Sequence, residues 1–234
     1  PAEPRAAAAG DAPLQALGLA IAEQYRHLLA HDPGVRRGED PEDLHQLRVA
    51  TRRLRAYLRC ARGLVERDWA EGLRGELGWL GSALGPARDL DVLLDRLRAE
   101  VSALVADGGD GVRQGLAGLV EALERERASA GVAVAEALAS TRYLALLDRL
   151  EAAAAPPPGP KTTSLAKIWR REARRMCRTF ASLGEDPGDD DLHGSRIGVK
   201  RARYAADLAA HELGKAGAAF VARAKALQDV LGEH

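Results

Sequence analysis

The sequence predicts an all-α chain built as two antiparallel helical bundles of the four-helix type, related by internal duplication. Three observations predict it. Apolar residues recur at helical spacing through most segments. Only 4% of residues are aromatic, β-branched residues are few, and Ala, Leu, Arg and Gly are in excess, a balance that disfavours β structure. A polar pattern that begins near residue 44 also returns 148 residues later.

Each element has its own signal. Leu14, Leu17, Ile21, Tyr25 and Leu28 lie on one face of a first helix, and Asp32-Pro33-Gly34 is expected to end it. Asp40-Pro41 then offers an N-cap and a first-turn proline. The second helix carries Leu44, Leu47, Thr51, Leu54 and Leu58. A third carries Trp69, Leu73, Leu77, Leu80 and Leu84, with Gly85-Pro86 as its expected stop. Leu90, Leu94, Leu97, Val101 and Leu104 form a fourth, which Asp107-Gly108-Gly109 closes. The Ala-rich stretch from Val112 to Leu150 reads as one long connecting helix and a short one. Pro156-Pro157-Pro158-Gly159-Pro160 cannot be helical and marks the main linker. Helices follow near Ser164–Leu183, Asp190–Glu212 and Lys215–Leu231. The expected organisation is a leader or linker over 1–11, a first repeat over 12–105, connecting helices over 110–151 and a second repeat over 161–234.

With 234 residues, 46% of them hydrophobic, the chain can bury a sizeable core and is not a disordered one. The two cysteines, Cys60 and Cys177, cannot make a disulfide framework and read as small buried residues. Neither CxxC nor HExxH occurs, so no metal site or cofactor is expected. Apolar runs fall short of a membrane span, and Pro1 to Gly10 lacks the apolar core of a signal peptide. A cytoplasmic location is the expectation.

The repeat is specific. Leu44-His45-Gln46-Leu47-Arg48-Val49-Ala50-Thr51-Arg52-Arg53-Leu54-Arg55 aligns with Leu192-His193-Gly194-Ser195-Arg196-Ile197-Gly198-Val199-Lys200-Arg201-Ala202-Arg203. Leu80, Leu84 and Gly85 align with Leu227, Leu231 and Gly232. The matching positions are mostly polar, which a shared core pattern alone does not produce. The second copy stops before the position that would match Arg88, so the last helix of its bundle is expected to be missing.

Charge is segregated along the chain. Lys+Arg and Asp+Glu are both 34. Yet residues 44–62, 161–180 and 192–203 together hold 17 of the basic residues and a single acid, Glu172. His45, Arg48, Arg52, Arg55 and Arg59 follow i, i+3, i+7, i+10, i+14, one stripe rotated by about 100° from the apolar one. His193, Arg196, Lys200 and Arg203 repeat it, and Arg53 and Arg201 flank the two stripes. Arg171, Arg174, Arg175 and Arg178 make a third row, which Arg26 matches at the 148-residue offset.

Like charges at i, i+4 repel by a few tenths of a kcal/mol per pair. An acid-free stripe accumulates that cost unless a polyanion neutralises it. Guanidinium forks fit phosphate oxygens, Lys adds a point charge, and a histidine adds a donor that strengthens on protonation. His27, His31 and His211 lack pairing across the repeat and read as surface or incidental residues. Asp89 and Asp91 read as caps of a helix start after Gly85-Pro86, or as groups that orient neighbouring arginines.

The combination of Leu44-His45-x-x-Arg48-x-x-x-Arg52-Arg53-x-Arg55, Leu84-Gly85-Pro86-Ala87-Arg88-Asp89-Leu90-Asp91-Val92 and His193-x-x-Arg196-x-x-x-Lys200-Arg201-x-Arg203-Tyr204 resembles the CHAD family, the conserved histidine α-helical domain. The resemblance runs from Leu14 to His234. It implies two four-helix bundles about a pseudo-twofold axis, with basic helices lining a central groove or pore. It further implies binding of inorganic polyphosphate and, as in some members, location at polyphosphate granules. A CYTH triphosphate-processing domain often neighbours such domains and would have to precede Pro1.

The reading is a non-enzymatic polyphosphate-binding module. The binding residues are His45, Arg48, Arg52, Arg53, Arg55, Arg59, Arg88, His193, Arg196, Lys200, Arg201 and Arg203, with Arg171, Arg174, Arg175, Arg178 and Arg26 as a second wall. One rival is a phosphohydrolase or histidine phosphotransfer bundle, although no paired acidic Mg²⁺ cluster accompanies the rows. The other is nucleic-acid binding, which the rows permit but the scarcity of interleaved aromatics, Tyr57 and Tyr204 apart, disfavours.

Overall fold

The computed structural model describes residues 7–8, 11–104 and 110–232. Its described residues form eight helices and no strand: α1 Pro13–Arg37, α2 Pro41–Cys60, α3 Arg67–Leu104, α4 Asp110–Ala139, α5 Thr141–Ala152, α6 Leu165–Ala181, α7 Asp189–Leu208 and α8 Ala210–Val230. The Asp107-Gly108-Gly109 turn, and all of the 1–11 leader except residues 7–8 and 11, lie outside the described residues.

Two expected stops are not stops. α1 runs through Pro33 and α3 through Pro86. An interior proline costs about 3 kcal/mol in an isolated helix, and tertiary contacts offset it here. Beyond Pro33, the Arg36 guanidinium donates to Asp32 and, at 2.7 Å, to the carbonyl of Leu138. The Tyr143 hydroxyl, on a fully buried ring, donates to the same Asp32 at 2.7 Å. Around Pro86, Leu84 and Ala87 are both fully buried, which holds the α3 axis through the break. Expected helices three and four are therefore one helix. At the other end of the scale, α8 contains Gly214 in a non-helical conformation (φ 54°, ψ −139°), where the expected break before Lys215 falls.

Other starts and ends follow their local chemistry. Asp40 Oδ1 accepts the Glu42 N–H at 2.8 Å and opens α2 at Pro41. α6 starts on two carboxylate bonds and a hydroxyl: Glu212 accepts the N–H groups of Leu165 (2.8 Å) and Ala166 (3.2 Å), and Ser164 Oγ accepts that of Lys167. α7 begins with Asp189, Asp190 and Asp191, acids that suit the positive end of a helix dipole.

The chain divides into two compact units. One comprises Pro1–Tyr25, Arg53–Gly75 and Arg149–His234, and the other Arg26–Arg52 and Glu76–Asp148. The boundaries fall inside α1, α2, α3 and α5. The first unit buries Leu17, Ile21, Leu54, Leu58, Leu73, Val199 and Ala202, and its α7 packs on both α6 and α8. Its proline-rich linker is held by backbone hydrogen bonds to the turn after α2: Gly159 N to Leu64 O (2.9 Å), Lys161 N to Gly63 O (2.9 Å) and Glu66 N to Pro157 O (3.1 Å). Gly159 permits that approach, because a Cβ there would lie 2.3 Å from the Val65 carbonyl oxygen. The second unit buries Leu28, Leu47, Leu77, Leu80, Leu84, Leu138 and Tyr143.

Candidate basic anion site

Helix α2 carries its apolar stripe inward, with Leu44, Leu47, Thr51, Leu54 and Leu58 all buried. That orientation leaves the adjoining basic stripe at the edge of the core. His45 and Arg48 are half-buried, whereas Arg52, Arg55 and Arg59 are exposed.

In the second unit, His45, Arg48 and Arg52 of α2 gather with Arg88 of α3. Burial pushes the His45 imidazole below its ordinary range, and the Arg88, Arg52 and Arg48 charges add to that against the opposing pull of Glu42. Arg48 pairs with Asp89 at 3.3 Å, while its Nη1 is buried with no hydrogen-bond partner. A Cβ on Gly85 would lie 3.1 Å from that Nη1, so the glycine makes room for the guanidinium. Arg26 is exposed on α1 of the same unit.

In the first unit a second group of cations surrounds the end of α2. Burial holds Arg59 below the usual guanidinium range, and Arg201 and Arg62 lower it further. Arg74 is lowered in the same way by burial, with Arg62, Arg59 and Arg55 adding and Glu71 opposing. Beneath them, the buried Cys60 thiol is pushed up to about 12 by burial and by Glu172, with Arg59, Arg171 and Arg201 pulling the other way. Such a thiol stays protonated and unreactive.

Along α7, His193 is exposed while Arg196, Lys200, Arg201 and Arg203 are half-buried. A Cβ on Gly232 would lie 3.0 Å from Arg196 Nη2. This approach occupies the positions that align with Gly85 and Arg48. Arg171, Arg174, Arg175 and Arg178 stand on the exposed face of α6. Arg174 and Arg178 border an open hollow of about 430 Å³ beside Trp169 and Cys177.

Several members of the rows are already engaged, among them Arg48, with Asp89, and Arg171, whose Nε donates to Glu172 at 3.4 Å. Arg53 sits 3.7 Å from Asp207, which also accepts the Tyr57 hydroxyl at 2.9 Å. Arg203 donates to Gln228 at 3.0 Å and lies over the Tyr204 ring.

Cys177 is exposed, not buried. Asp89 and Asp91 cap no helix start, because α3 is continuous; they orient arginines, Asp89 holding Arg48 and the buried Asp91 accepting from Arg127. His31 is not incidental: its Nδ1 lies 2.7 Å from Asp43 Oδ1 and its ring stacks on His27. The His211 side chain is 4% exposed and so is no surface residue.

Arg62 and Arg74 were not among the sequence candidates. Arg62 continues the α2 row at i+3 from Arg59, a signal obscured because the helix ends at Cys60. Arg74 reaches the group only through tertiary structure.

Among the described residues no cluster of three or more His, Cys, Asp or Glu side chains is placed to hold a metal ion. Nor is any single described helix long and apolar enough to cross a membrane; α4 and α5 together reach that length and hydropathy only across a 58° bend.

A family profile described as CHAD domain matches residues 19–234. Two uncharacterized proteins of Mycobacterium tuberculosis, from strains CDC 1551 and H37Rv, are each 33% identical over 229 residues, covering 92% of this chain and 42% of their own length. The chain thus spans less than half of these relatives. Among solved structures, the CHAD domain from the plant Ricinus communis matches with a TM-score of 0.78 and 28% identity, over all of this chain and 78% of that one. PptA from Streptomyces chartreusis matches in fold, with a TM-score of 0.69 at 21% identity, over 95% of this chain and 99% of that one.

Proposed function

This chain belongs to the CHAD domain family, and from that membership we propose that it binds inorganic polyphosphate and does not turn it over. One observation carries the reading. Cations flank the core in both units, half-buried at His45, Arg48, Arg88 and Arg201 and exposed at Arg52, Arg55, Arg59 and Arg171, with His45, Arg48, Arg52 and Arg88 gathered in one unit and Arg55, Arg59, Arg171 and Arg201 in the other. Their mutual repulsion opposes folding, and a linear polymer of phosphates relieves it along a row. The matched approaches of Arg48 to Gly85 and of Arg196 to Gly232 support a duplicated anion-binding element.

The remaining row members, Arg26, Arg53, Arg174, Arg175, Arg178, His193, Lys200 and Arg203, extend the binding surface. In a cell this activity places the protein with polyphosphate, including its granules. Nucleic acid is the rival ligand, because its phosphates satisfy the same guanidinium groups. A competition experiment at fixed salt separates them. Long-chain polyphosphate should displace single-stranded DNA at a lower phosphate concentration than the reverse displacement requires. Equal exchange on a per-phosphate basis would move the assignment to general polyanion binding, and preference for DNA would overturn it. Incubation of the protein with polyphosphate should release no orthophosphate; release that scales with protein concentration would establish an enzyme.

A further inference from the structure

Outside the rows, near the start of α3, Glu71 holds two arginines. Its Oε1 accepts from Arg62 Nε at 3.0 Å and lies 2.8 Å from Arg62 Nη2, and its Oε2 accepts from Arg74 Nη1. Arg62 and Glu71 are exposed at 58% and 39% of their side chains, so an incoming anion can reach both; Arg74, at 19%, is held by its surroundings. Arg74 Nε is buried and makes no hydrogen bond. A hollow of about 450 Å³ opens beside them, bordered by Arg62, Gly63, Arg67, Glu71 and Pro160. Arg62 lies close enough to Arg59, and Arg74 close enough to Arg55 and Arg59, for their charges to act on one another.

We infer that Arg62 and Arg74 continue the anion-binding row beyond the end of α2, and that Glu71 is a built-in competitor whose carboxylate a phosphate of the bound polymer displaces. This deepens the polyphosphate reading and rests on it. A carboxylate held by two guanidinium forks occupies the place a phosphate would take with the same donors. A polymer that already occupies Arg55 and Arg59 presents its next phosphates at high effective concentration to Arg62. The exchange is feasible because a partly exposed ion pair is weak. Glu71 would thereby favour long polymers over isolated phosphates, which lack the neighbouring contacts needed to displace it.

The test is titration of the full chain with long-chain polyphosphate at several salt concentrations. Arg62→Ala should weaken binding about two- to fivefold. It should also flatten the plot of log affinity against log salt by about 0.7, the loss of one phosphate contact. Glu71→Gln should tighten binding by a similar factor. A merely structural role for the Arg62–Glu71–Arg74 group would lower affinity or melting temperature in both variants without altering the salt slope. Unchanged affinity and slope in Arg62→Ala, or unchanged or weaker binding in a folded Glu71→Gln, overturns the inference. If Glu71→Gln does not fold, Arg62→Ala decides alone. Arg48→Ala with Arg52→Ala runs alongside: if that pair also leaves binding intact, the polyphosphate reading itself has failed; if only that pair matters, the extension alone falls.

Discussion

His45 is the residue where charge and burial meet. In the free protein its burial and the neighbouring Arg88 favour the neutral imidazole. The sign of the linkage follows. A histidine with a lowered folded pKa adds stability above its unfolded value near 6.5, and that contribution is lost as pH falls through the lower folded value. A bound phosphate opposes both causes of the shift by neutralising Arg88 and accepting a proton-donating bond. Polyphosphate should therefore raise the His45 pKa, take up protons on binding, and bind more tightly as pH falls from about 8 to about 6. NMR titration of the His45 ring with and without polymer reads this directly. His45→Gln, alone and with His193→Gln, should weaken binding and flatten the pH dependence with the melting temperature nearly unchanged. A fall in melting temperature with unaltered affinity would mark the histidines as structural.

Gly85 makes a second residue-scale prediction. It sits inside α3, where glycine costs about 0.5–1 kcal/mol relative to alanine. The added methyl of Gly85→Ala would meet Arg48 Nη1 at 3.1 Å, the movable end of a long side chain. The variant should melt higher, by up to about 1 kcal/mol of stability, yet bind polyphosphate more weakly because the guanidinium is displaced. A gain in stability with no loss of affinity would show that Arg48 binds equally well elsewhere. In the sequence Gly85 reads as a helix stop. Its real use was invisible there, because it depends on which side chain α2 lays against it.

At the scale of elements, the helical rows act as units. Arg48→Ala with Arg52→Ala on α2, and Arg196→Ala with Lys200→Ala on α7, should weaken polyphosphate binding to comparable degrees. Folding should survive in both, since each change relieves like-charge repulsion of a few tenths of a kcal/mol per pair. Calorimetric titration with thermal melts checks both halves of that statement, and an effect confined to α2 would refute a shared role. The helices themselves were largely legible: the 3.6-residue period located α1 and α2, the Ala-rich stretch from Val112 to Leu150 the long α4 and short α5, and three helices were expected after the linker. Proline misled at Pro33 and Pro86, where the local signal for a stop is overruled by Arg36 reaching Leu138 and by the burial of Leu84 and Ala87. The basic stripe was legible because its period and its lack of acids are both properties of sequence. Arg74 was not, because only the fold brings it to Arg55 and Arg59.

For the whole molecule, zero net charge conceals an uneven distribution, with 17 cations and one acid in 51 residues. Binding driven from these segments proceeds by counterion release. Log affinity should fall linearly with log salt, by about 0.7 for each phosphate neutralised on a flexible single-stranded polymer. Affinity should rise with chain length until the rows are filled, as a series of polymers of defined length would show. Pyrophosphate bound as tightly as a long chain would exclude an extended surface.

The pinned linker sets an order of events during synthesis. The turn after α2 completes its backbone bonds only with Pro157, Gly159 and Lys161, residues made roughly ninety positions later. The unit that contains it draws on three separated stretches, the last beginning at Arg149, while the other unit is wholly translated by Asp148. Closing so long a loop carries an entropic cost that must be met before its contacts repay it. The nascent chain should therefore acquire the unit of Arg26–Arg52 and Glu76–Asp148 first and leave the amino-terminal turns of α1 waiting. In pulsed hydrogen exchange, the amides around Tyr143 and Leu138 should become protected before those of Leu17 and Ile21, although the latter leave the ribosome more than a hundred residues earlier.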